Sequence, residues 1–202
     1  MVGMRYPAIF ILFFLPFSLS AFVEPHTEYT EDHFYITRGE IDFELDVWEV
    51  GTVLLKYNDY SKWALRGMQG VDQESEGLIA YFTDVRYLAR ENFFLITFDL
   101  NLIWPFGRKG SQIRFRPLQA FDSEGRLASI TLIPLMGNKM VHSAILEFNL
   151  RETETGSSLS YESRIRLAPL FDFFFSLRSY KKNFEWYVFK LTENLTEYLQ
   201  GF

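Results

Sequence analysis

The sequence predicts an α+β fold in which a curved antiparallel sheet of about seven strands holds a long C-terminal helix, with a short helix after the first strand. Between residues 33 and 167, apolar and polar residues alternate in runs joined by short turn segments. After Pro169, apolar residues recur at intervals of three and four, as on one face of a helix. An antiparallel sheet with one polar face has to bury the other, and the C-terminal helix has enough apolar surface to cover it.

The first strand is predicted from residue 33 to residue 45, where apolar residues alternate with carboxylates. The carboxylates share one face, which we interpret as a solvated outer face rather than a metal or acid site. Asp46 can then cap a short helix that starts at Val47, because its side chain can accept from a first-turn N–H. Gly51 lies inside this helix at a cost in helix propensity, and close approach of a neighbouring element is one explanation.

Six further strands follow from the same alternation. They are predicted at residues 78–89, 93–104, 112–121, 126–135, 141–151 and 159–167. The connections are short and rich in Gly, Asn, Asp and Pro, which are the residues that turns require. Consecutive strands on short turns indicate an antiparallel meander.

The last element is predicted as one helix from Pro169 to Tyr198. Proline suits the first turn of a helix, where its missing N–H has no partner to lose. Such a helix runs roughly 45 Å, enough to cross an entire curved sheet. A strongly curved sheet around one helix does not usually close its concave side completely, so we expect a cavity between helix and sheet.

Residues 1–20 have the order of a secretory signal peptide. Arg5 gives a positive start, residues 6–19 are almost wholly apolar, and residues 18–20 supply small side chains before Ala21. The apolar run is shorter than the ~20 residues that span a bilayer, and two prolines interrupt it. We therefore predict cleavage and a secreted or periplasmic protein, with an N-terminal membrane anchor as the alternative.

Residues 21–32 are predicted to form a flexible, solvated leader, and residues 33–202 to form the folded domain. The net charge is −6 and the pI about 5.2, which argues against a nucleic-acid partner. There is no cysteine, so disulfides, thiolate chemistry and zinc–thiolate sites are excluded. The 22 Phe, 11 Tyr and 4 Trp suit either a tightly packed interior or an aromatic-lined pocket.

Ten apolar residues on the predicted inner faces are candidates for binding a ligand. The sheet would contribute Phe94, Phe98, Leu100, Trp104, Phe115, Tyr161 and Ile165, and the helix Phe173, Leu177 and Phe184. The alternative is that they form a filled core. We expect most of them to be core residues and roughly a third to contact a ligand, given the apolar lining of small-molecule pockets.

Signals for catalysis are weak. His26 and His33 lie among acidic residues near the leader, and His142 lies on a predicted strand, where a surface role is expected. The sequence contains no zinc-protease, serine-hydrolase, P-loop or dinucleotide-binding motif. No catalytic residue, metal site or cofactor is predicted.

Two segments carry a resemblance to a known family. Ile41–Val50 (IDFELDVWEV) resembles the strand, acidic cap and Val-Trp helix start of the START-like helix-grip superfamily, and Tyr57–Trp63 (YNDYSKW) resembles its following Tyr-x-x-Trp segment. This superfamily includes the polyketide cyclases and the birch-pollen-allergen-like proteins. The usual prolines at the start of the helix are absent here, and that start is one residue shorter. The resemblance implies binding or transfer of a lipid or other hydrophobic small molecule, and in some members cyclisation or aromatisation of a polyketide.

Three hypotheses about function follow. The first is an exported, non-enzymatic carrier or sensor of a hydrophobic small molecule or lipid, with transient contact to membranes. The second is a cyclase or aromatase type of enzyme acting on a hydrophobic chain, and the third is an interaction domain with a filled core. The lack of a convergent acid–base pair in the sequence favours the carrier over the enzyme.

Overall fold

The computed structural model describes residues 22–68, 78–102, 107–135 and 140–201, so the predicted signal peptide lies outside the described residues. Eight strands form a single antiparallel sheet in the order β1-β2-β8-β7-β6-β5-β4-β3. The strands are β1 (Phe22–Tyr29), β2 (Tyr35–Phe43), β3 (Ala80–Leu88), β4 (Phe93–Leu100), β5 (Arg108–Phe121), β6 (Leu127–Pro134), β7 (Val141–Thr153) and β8 (Gly156–Leu167). The helices are α1 (Val47–Leu55), α2 (Tyr60–Trp63), α3 (Pro169–Phe174) and α4 (Leu177–Gln200), with a 3₁₀ turn at Tyr57–Asp59. The predicted fold class is confirmed.

The sheet contains one strand more than the sequence predicted. Strands β3 to β8 form the expected meander, and β2 joins it by pairing with β8. The segment predicted as a flexible leader instead contains β1, which pairs with β2. Thr27 of β1 and Thr37 of β2 share a buried hydrogen bond of 2.8 Å between their Oγ1 atoms. An edge strand keeps much of its surface in water, which is why its polar composition resembled that of a solvated leader.

Helix α1 begins at Val47 and is capped by Asp46, as predicted. The Asp46 carboxylate accepts from the Glu49 N–H at 2.8 Å, and the Glu49 side chain accepts from the Asp46 N–H, which forms a capping box. Gly51 faces the sheet, where a Cβ atom would lie 3.1 Å from the Cβ of Leu127. Close packing of α1 against β6 therefore explains the glycine.

The C-terminal segment is two helices, which corrects the prediction of a single long one. Phe175 has extended backbone after α3, and Ser176 starts α4 by accepting from the Ser179 N–H. Asp172 ties α3 to the sheet, because its carboxylate accepts from the hydroxyl of Tyr29 at 2.8 Å and lies 2.9 Å from that of Tyr35. The apolar spacing runs through the break unchanged, so periodicity alone did not reveal it. Helix α4 alone is about 36 Å long.

Helix α4 connects the two edges of the sheet. At its start, Tyr180 stacks on Tyr35 of β2 with ring centroids 3.9 Å apart. Further along, Asn183 Oδ1 accepts from the N–H groups of Ile79 and Ala80 at 2.7 and 3.0 Å, beside β3. Tyr187 donates to the carbonyl of Ala80 and accepts from the N–H of Phe82. These side chains satisfy backbone groups that an edge strand would leave open, so α4 is bound to the β3 edge of the sheet.

Candidate functional site

A cavity of about 240 Å³ lies between the concave face of the sheet and α4. Its walls come from six strands and from α1, α2 and α4. The sheet contributes Ile41, Phe82, Val85, Phe94, Ile96, Ile130, Leu132, Leu146, Phe148, Leu159, Tyr161, Glu162 and Ser163, and the helical side contributes Leu54, Tyr60, Trp63, Ala64, Leu65, Phe184, Tyr187, Val188, Leu191, Thr192 and Leu195. Almost all of this lining is apolar.

The local sequence explains why these side chains meet. On β8, Leu159, Tyr161 and Ser163 alternate with outward-facing residues, so all three point to the concave side. On α4, Phe184, Val188 and Leu191 recur at helical spacing and face the sheet. The cavity is therefore enclosed by period-two strands on one side and a period-3.6 helix on the other.

Three of the ten residues predicted to bind a ligand lie on the cavity wall: Phe94, Tyr161 and Phe184. Phe98, Leu100 and Phe115 are buried in the surrounding core, and Ile165 packs partly buried against it, but none of these four lines the cavity. Trp104 falls outside the described residues. Contact of any of these side chains with a ligand stays a prediction.

Two predicted residues of the C-terminal segment lie at the surface instead. Phe173 is 83% exposed and Leu177 is 43% exposed. The reason is the break between α3 and α4. A continuous helix would have placed both side chains on the face that contains Phe184, whereas the short α3 presents Phe173 to solvent.

The sequence analysis missed the helical wall formed after α1. Tyr60 and Trp63 both line the cavity, and their rings pack with centroids 4.8 Å apart. Both belong to the Tyr57–Trp63 segment that carries the family resemblance, so that segment was the available signal. The position of this segment over the sheet depends on tertiary packing, which the residue pattern does not show.

Three buried polar atoms belong to cavity-lining side chains and have no hydrogen-bond partner among the described residues. They are Trp63 Nε1, Tyr161 Oη and Ser163 Oγ. The hydroxyls of the other two tyrosines on the wall do have hydrogen-bond partners. Tyr60 donates to the carbonyl of Leu54 at 2.9 Å, and Tyr187 donates to the carbonyl of Ala80. Burial raises the pKa of Tyr161 well above its usual range and that of Tyr187 to about 12, so both hydroxyls keep their protons at neutral pH.

Gly39 makes room for the Tyr161 side chain. The two residues are cross-strand neighbours on β2 and β8. A Cβ atom at position 39 would lie 2.0 Å from Tyr161 Oη and 2.4 Å from the adjacent ring carbon, so any side chain there would displace the Tyr161 ring. The ring therefore lies directly against the glycine backbone.

A second depression, of about 440 Å³, lies on the surface beside α3. It is lined by His33, His142, Arg166, Leu167, Pro169, Asp172 and Phe173. The Tyr29 hydroxyl links His33 Nδ1, at 2.6 Å, to the Asp172 carboxylate. Within the described ranges, no three side chains of His, Asp or Glu are grouped so that they could hold a metal ion.

No protein-family profile and no curated protein matches this sequence. Solved structures do match. The di-domain ARO/CYC protein StfQ from the steffimycin biosynthetic pathway superposes with a TM-score of 0.55 at 9% identity, over 84% of this chain and 52% of that one. A protein from Rhodobacter sphaeroides gives 0.51 at 12% identity, over 88% and 99% of the two chains. A STAR-related lipid transfer protein from Xanthomonas axonopodis gives 0.47 at 14% identity, over 88% and 99%.

This chain spans about half the length of StfQ. At these identities the similarity concerns the fold and not the activity. The residue patterns at Ile41–Val50 and Tyr57–Trp63 led us to expect a sheet that holds a C-terminal helix. The observed strand order and the position of α4 agree with that expectation. The chain therefore has the helix-grip fold.

Proposed function

We propose that this chain binds a hydrophobic small molecule or lipid between the sheet and α4 and carries it without chemical change. The observation that supports this most directly is the apolar cavity of about 240 Å³. Protein interiors are close-packed, and voids larger than a water molecule are few. A domain that only needed a core would have filled this space with the aromatic side chains in which the sequence is rich.

The cavity volume limits the size of the ligand. An engineered apolar cavity of about 150 Å³ binds benzene. In proportion, the space enclosed by the described residues holds an apolar body of about ten non-hydrogen atoms. This size fits a small molecule, or part of one acyl chain, better than a whole two-chain lipid.

The charges at the wall favour a carrier over an enzyme. Among the described residues that line the cavity, the one carboxylic acid is Glu162, and its carboxylate accepts from Arg38 at 2.6 Å and from Arg164. The Glu162 carboxylate is thus paired with two arginines. The described lining contains no second carboxylate and no histidine or lysine, so it does not supply the acid and the base that general acid–base catalysis needs. The cyclase type of enzyme is the second candidate, favoured by the buried hydroxyls of Tyr161 and Ser163, which could orient a reactive chain.

Native mass spectrometry of gently purified protein, followed by titration with neutral aromatic probes, tests the proposal. A carrier is expected to retain a co-purifying apolar molecule or to bind one probe per chain. A cyclase would convert an added polyketide chain to a new product. Protein that carries nothing and binds no probe would sink both candidates and support the interaction-domain hypothesis.

We further propose that the protein acts outside the cytoplasm after loss of its signal peptide. The order of Arg5, apolar run and small residues supports this. N-terminal sequencing of protein isolated from its native host is expected to start at or near Ala21. A chain that still begins at Met1 would instead indicate an N-terminal anchor. None of the helices in the described part of the chain is both long and apolar enough to cross a bilayer.

The break between α3 and α4 supports transient contact with a membrane. Leu170, Phe173 and Leu177 are 53%, 83% and 43% exposed there, although large apolar side chains are usually buried. In a chain of net charge −6, this region carries a local excess of positive charge. Between residues 166 and 182 it contains Arg166, Arg178, Lys181 and Lys182 against one acid, Asp172. Exposed apolar side chains beside cations fit the surface of an anionic bilayer.

Substitution of Phe173 by serine is expected to weaken binding to vesicles that contain phosphatidylglycerol by about tenfold or more, because burying a phenylalanine side chain contributes about 1.5–3 kcal/mol. Phe121→Ser is the matched control, since Phe121 is also exposed, at 53%, but lies on β5. Vesicle co-sedimentation at two salt concentrations measures both effects, and the electrostatic part should weaken at the higher salt. Equal loss in the two variants, or no binding by the parent, would contradict this contact.

A further inference from the structure

Two of the cavity-lining residues whose polar atom has no partner among the described residues lie on the same strand. Tyr161 and Ser163 are two residues apart on β8, so their side chains share one face with Cα atoms about 7 Å apart. Tyr161 is 7% exposed and Ser163 is 3% exposed. Neither hydroxyl has a hydrogen-bond partner among the described residues. Buried polar atoms in proteins are nearly always hydrogen-bonded, so each of these hydroxyls needs a partner that the described residues do not supply.

The position of Tyr161 is imposed by the fold. Its ring lies against the backbone of Gly39, the one residue type that leaves space for it. The ring therefore packs on β2, and the side chain lines the cavity with its hydroxyl oxygen buried. Ser163 is positioned by backbone pairing within the sheet, since it lies opposite Thr37 on β2 and Leu146 on β7.

The surrounding charges exclude one class of partner. Among the described residues that line the cavity, there is no Lys, Arg or His side chain. The nearby carboxylate of Glu185 acts on Tyr161, since its negative charge adds to burial in raising the pKa of that hydroxyl. A ligand carboxylate or phosphate buried here would lack a counter-ion, which costs far more than burying a neutral group. A neutral hydroxyl can donate and accept, as both Tyr161 and Ser163 can.

We infer that Tyr161 and Ser163 form a polar anchor that selects neutral ligands bearing a hydroxyl group on an apolar body of about ten non-hydrogen atoms. This inference rests on the proposed function, because it concerns the ligand of the same cavity. The expected ligands are alcohols or phenols, and free acids are excluded. The hydroxyl of the ligand forms hydrogen bonds with the hydroxyls of Tyr161 and Ser163, and its apolar body fills the rest of the cavity.

The test compares ligands of one shape. 2-Naphthol and 2-methylnaphthalene differ by a hydroxyl in place of a methyl group, and 2-naphthoate carries a carboxylate. Isothermal titration calorimetry at neutral pH gives the ratio of the Kd for 2-methylnaphthalene to that for 2-naphthol in each protein. Comparing this ratio between variants cancels the different hydration of the two probes.

The ratio is expected to fall about tenfold in Tyr161→Phe and to fall also in Ser163→Ala, the effect of losing one buried hydrogen bond. Tyr180→Phe is the matched control. The Tyr180 hydroxyl is also buried without a partner in the described part of the chain, but it does not line the cavity, so the ratio should stay as in the parent. 2-Naphthoate is expected to bind more weakly than both neutral probes.

The outcomes separate the two proposals. If the parent protein binds none of the three probes, the proposed carrier function fails. If it binds 2-methylnaphthalene and 2-naphthol but the ratio is the same in the parent, Tyr161→Phe and Ser163→Ala, the cavity holds ligands and the anchor is wrong. If 2-naphthoate binds as tightly as 2-naphthol, the preference for neutral ligands is wrong.

Discussion

Replacement of Phe98 by alanine is expected to lower the free energy of unfolding by about 3–5 kcal/mol, the usual cost of truncating a packed core phenylalanine. Phe98 is 8% exposed, contacts Phe82 edge to face with ring centroids 6.0 Å apart, and does not line the cavity. Its removal therefore opens a new void among packed neighbours. The lost transfer energy and the energy of that void add together.

Two matched variants make this prediction specific. Phe148→Ala should cost less than Phe98→Ala, because Phe148 borders space that already exists and has fewer contacts to lose. Phe173→Ala should change stability by no more than about 0.5 kcal/mol, since the side chain is 83% exposed. Chemical denaturation of the three variants measures the order. A Phe98→Ala protein as stable as the parent would mean that β4 does not pack as described.

The contrast between Phe94 and Phe98 shows what the sequence could predict. Alternation on β4 placed Phe94 and Phe98 correctly on the inner face of the sheet. It could not separate them, although Phe94 lines the cavity and Phe98 packs in the core around it. Period-two alternation reports which side a residue faces and not how far the opposite layer lies from it. That distance depends on where α4 crosses the sheet.

The ends of the fold were the hardest parts to predict. The polar composition of β1 is compatible with an edge strand as well as with a leader, and only its pairing with β2 decides between them. The break at Phe175 and Ser176 does not interrupt the apolar spacing, and it contains neither proline nor glycine. It is stabilised from outside, by Tyr35, whose hydroxyl lies 2.8 Å from the carbonyl oxygen of Phe175. Contacts between residues this far apart in sequence are not visible in local patterns.

The polar part of the cavity was missed for a related reason. Ser163 reads as one of many serines on β8, and Tyr161 reads as one of many aromatic residues. They stand out because their buried hydroxyls have no hydrogen-bond partner among the described residues, and because Gly39 leaves space for the Tyr161 ring. Sequence patterns predict which residues are buried far better than which buried polar atoms stay unpaired. The candidate anchor therefore emerges from the structure alone.

Filling the cavity from α4 should abolish ligand binding while leaving the fold intact. Val188 is half-buried on the cavity wall, one turn after Phe184 and three residues before Leu191. Val188→Trp places an indole in the space that the ligand body would occupy, and a cavity of about 240 Å³ cannot hold both. We expect the Kd for 2-methylnaphthalene to rise by about a hundredfold or more, since most of the apolar contact is lost. Overpacking costs about 1–3 kcal/mol of stability where the new side chain does not fit.

Leu132→Trp fills the same space from β6, so the test does not depend on one variant folding. Phe189→Trp is the control, because this neighbour on α4 is 40% exposed and does not line the cavity. Circular dichroism establishes that each variant is folded, and calorimetric titration gives its affinity. Loss of binding in Val188→Trp and Leu132→Trp with parent-like affinity in Phe189→Trp would locate the ligand in the cavity. Parent-like affinity in the two filled variants would place it elsewhere, and the surface depression at His33 and Arg166 would be the next site to test.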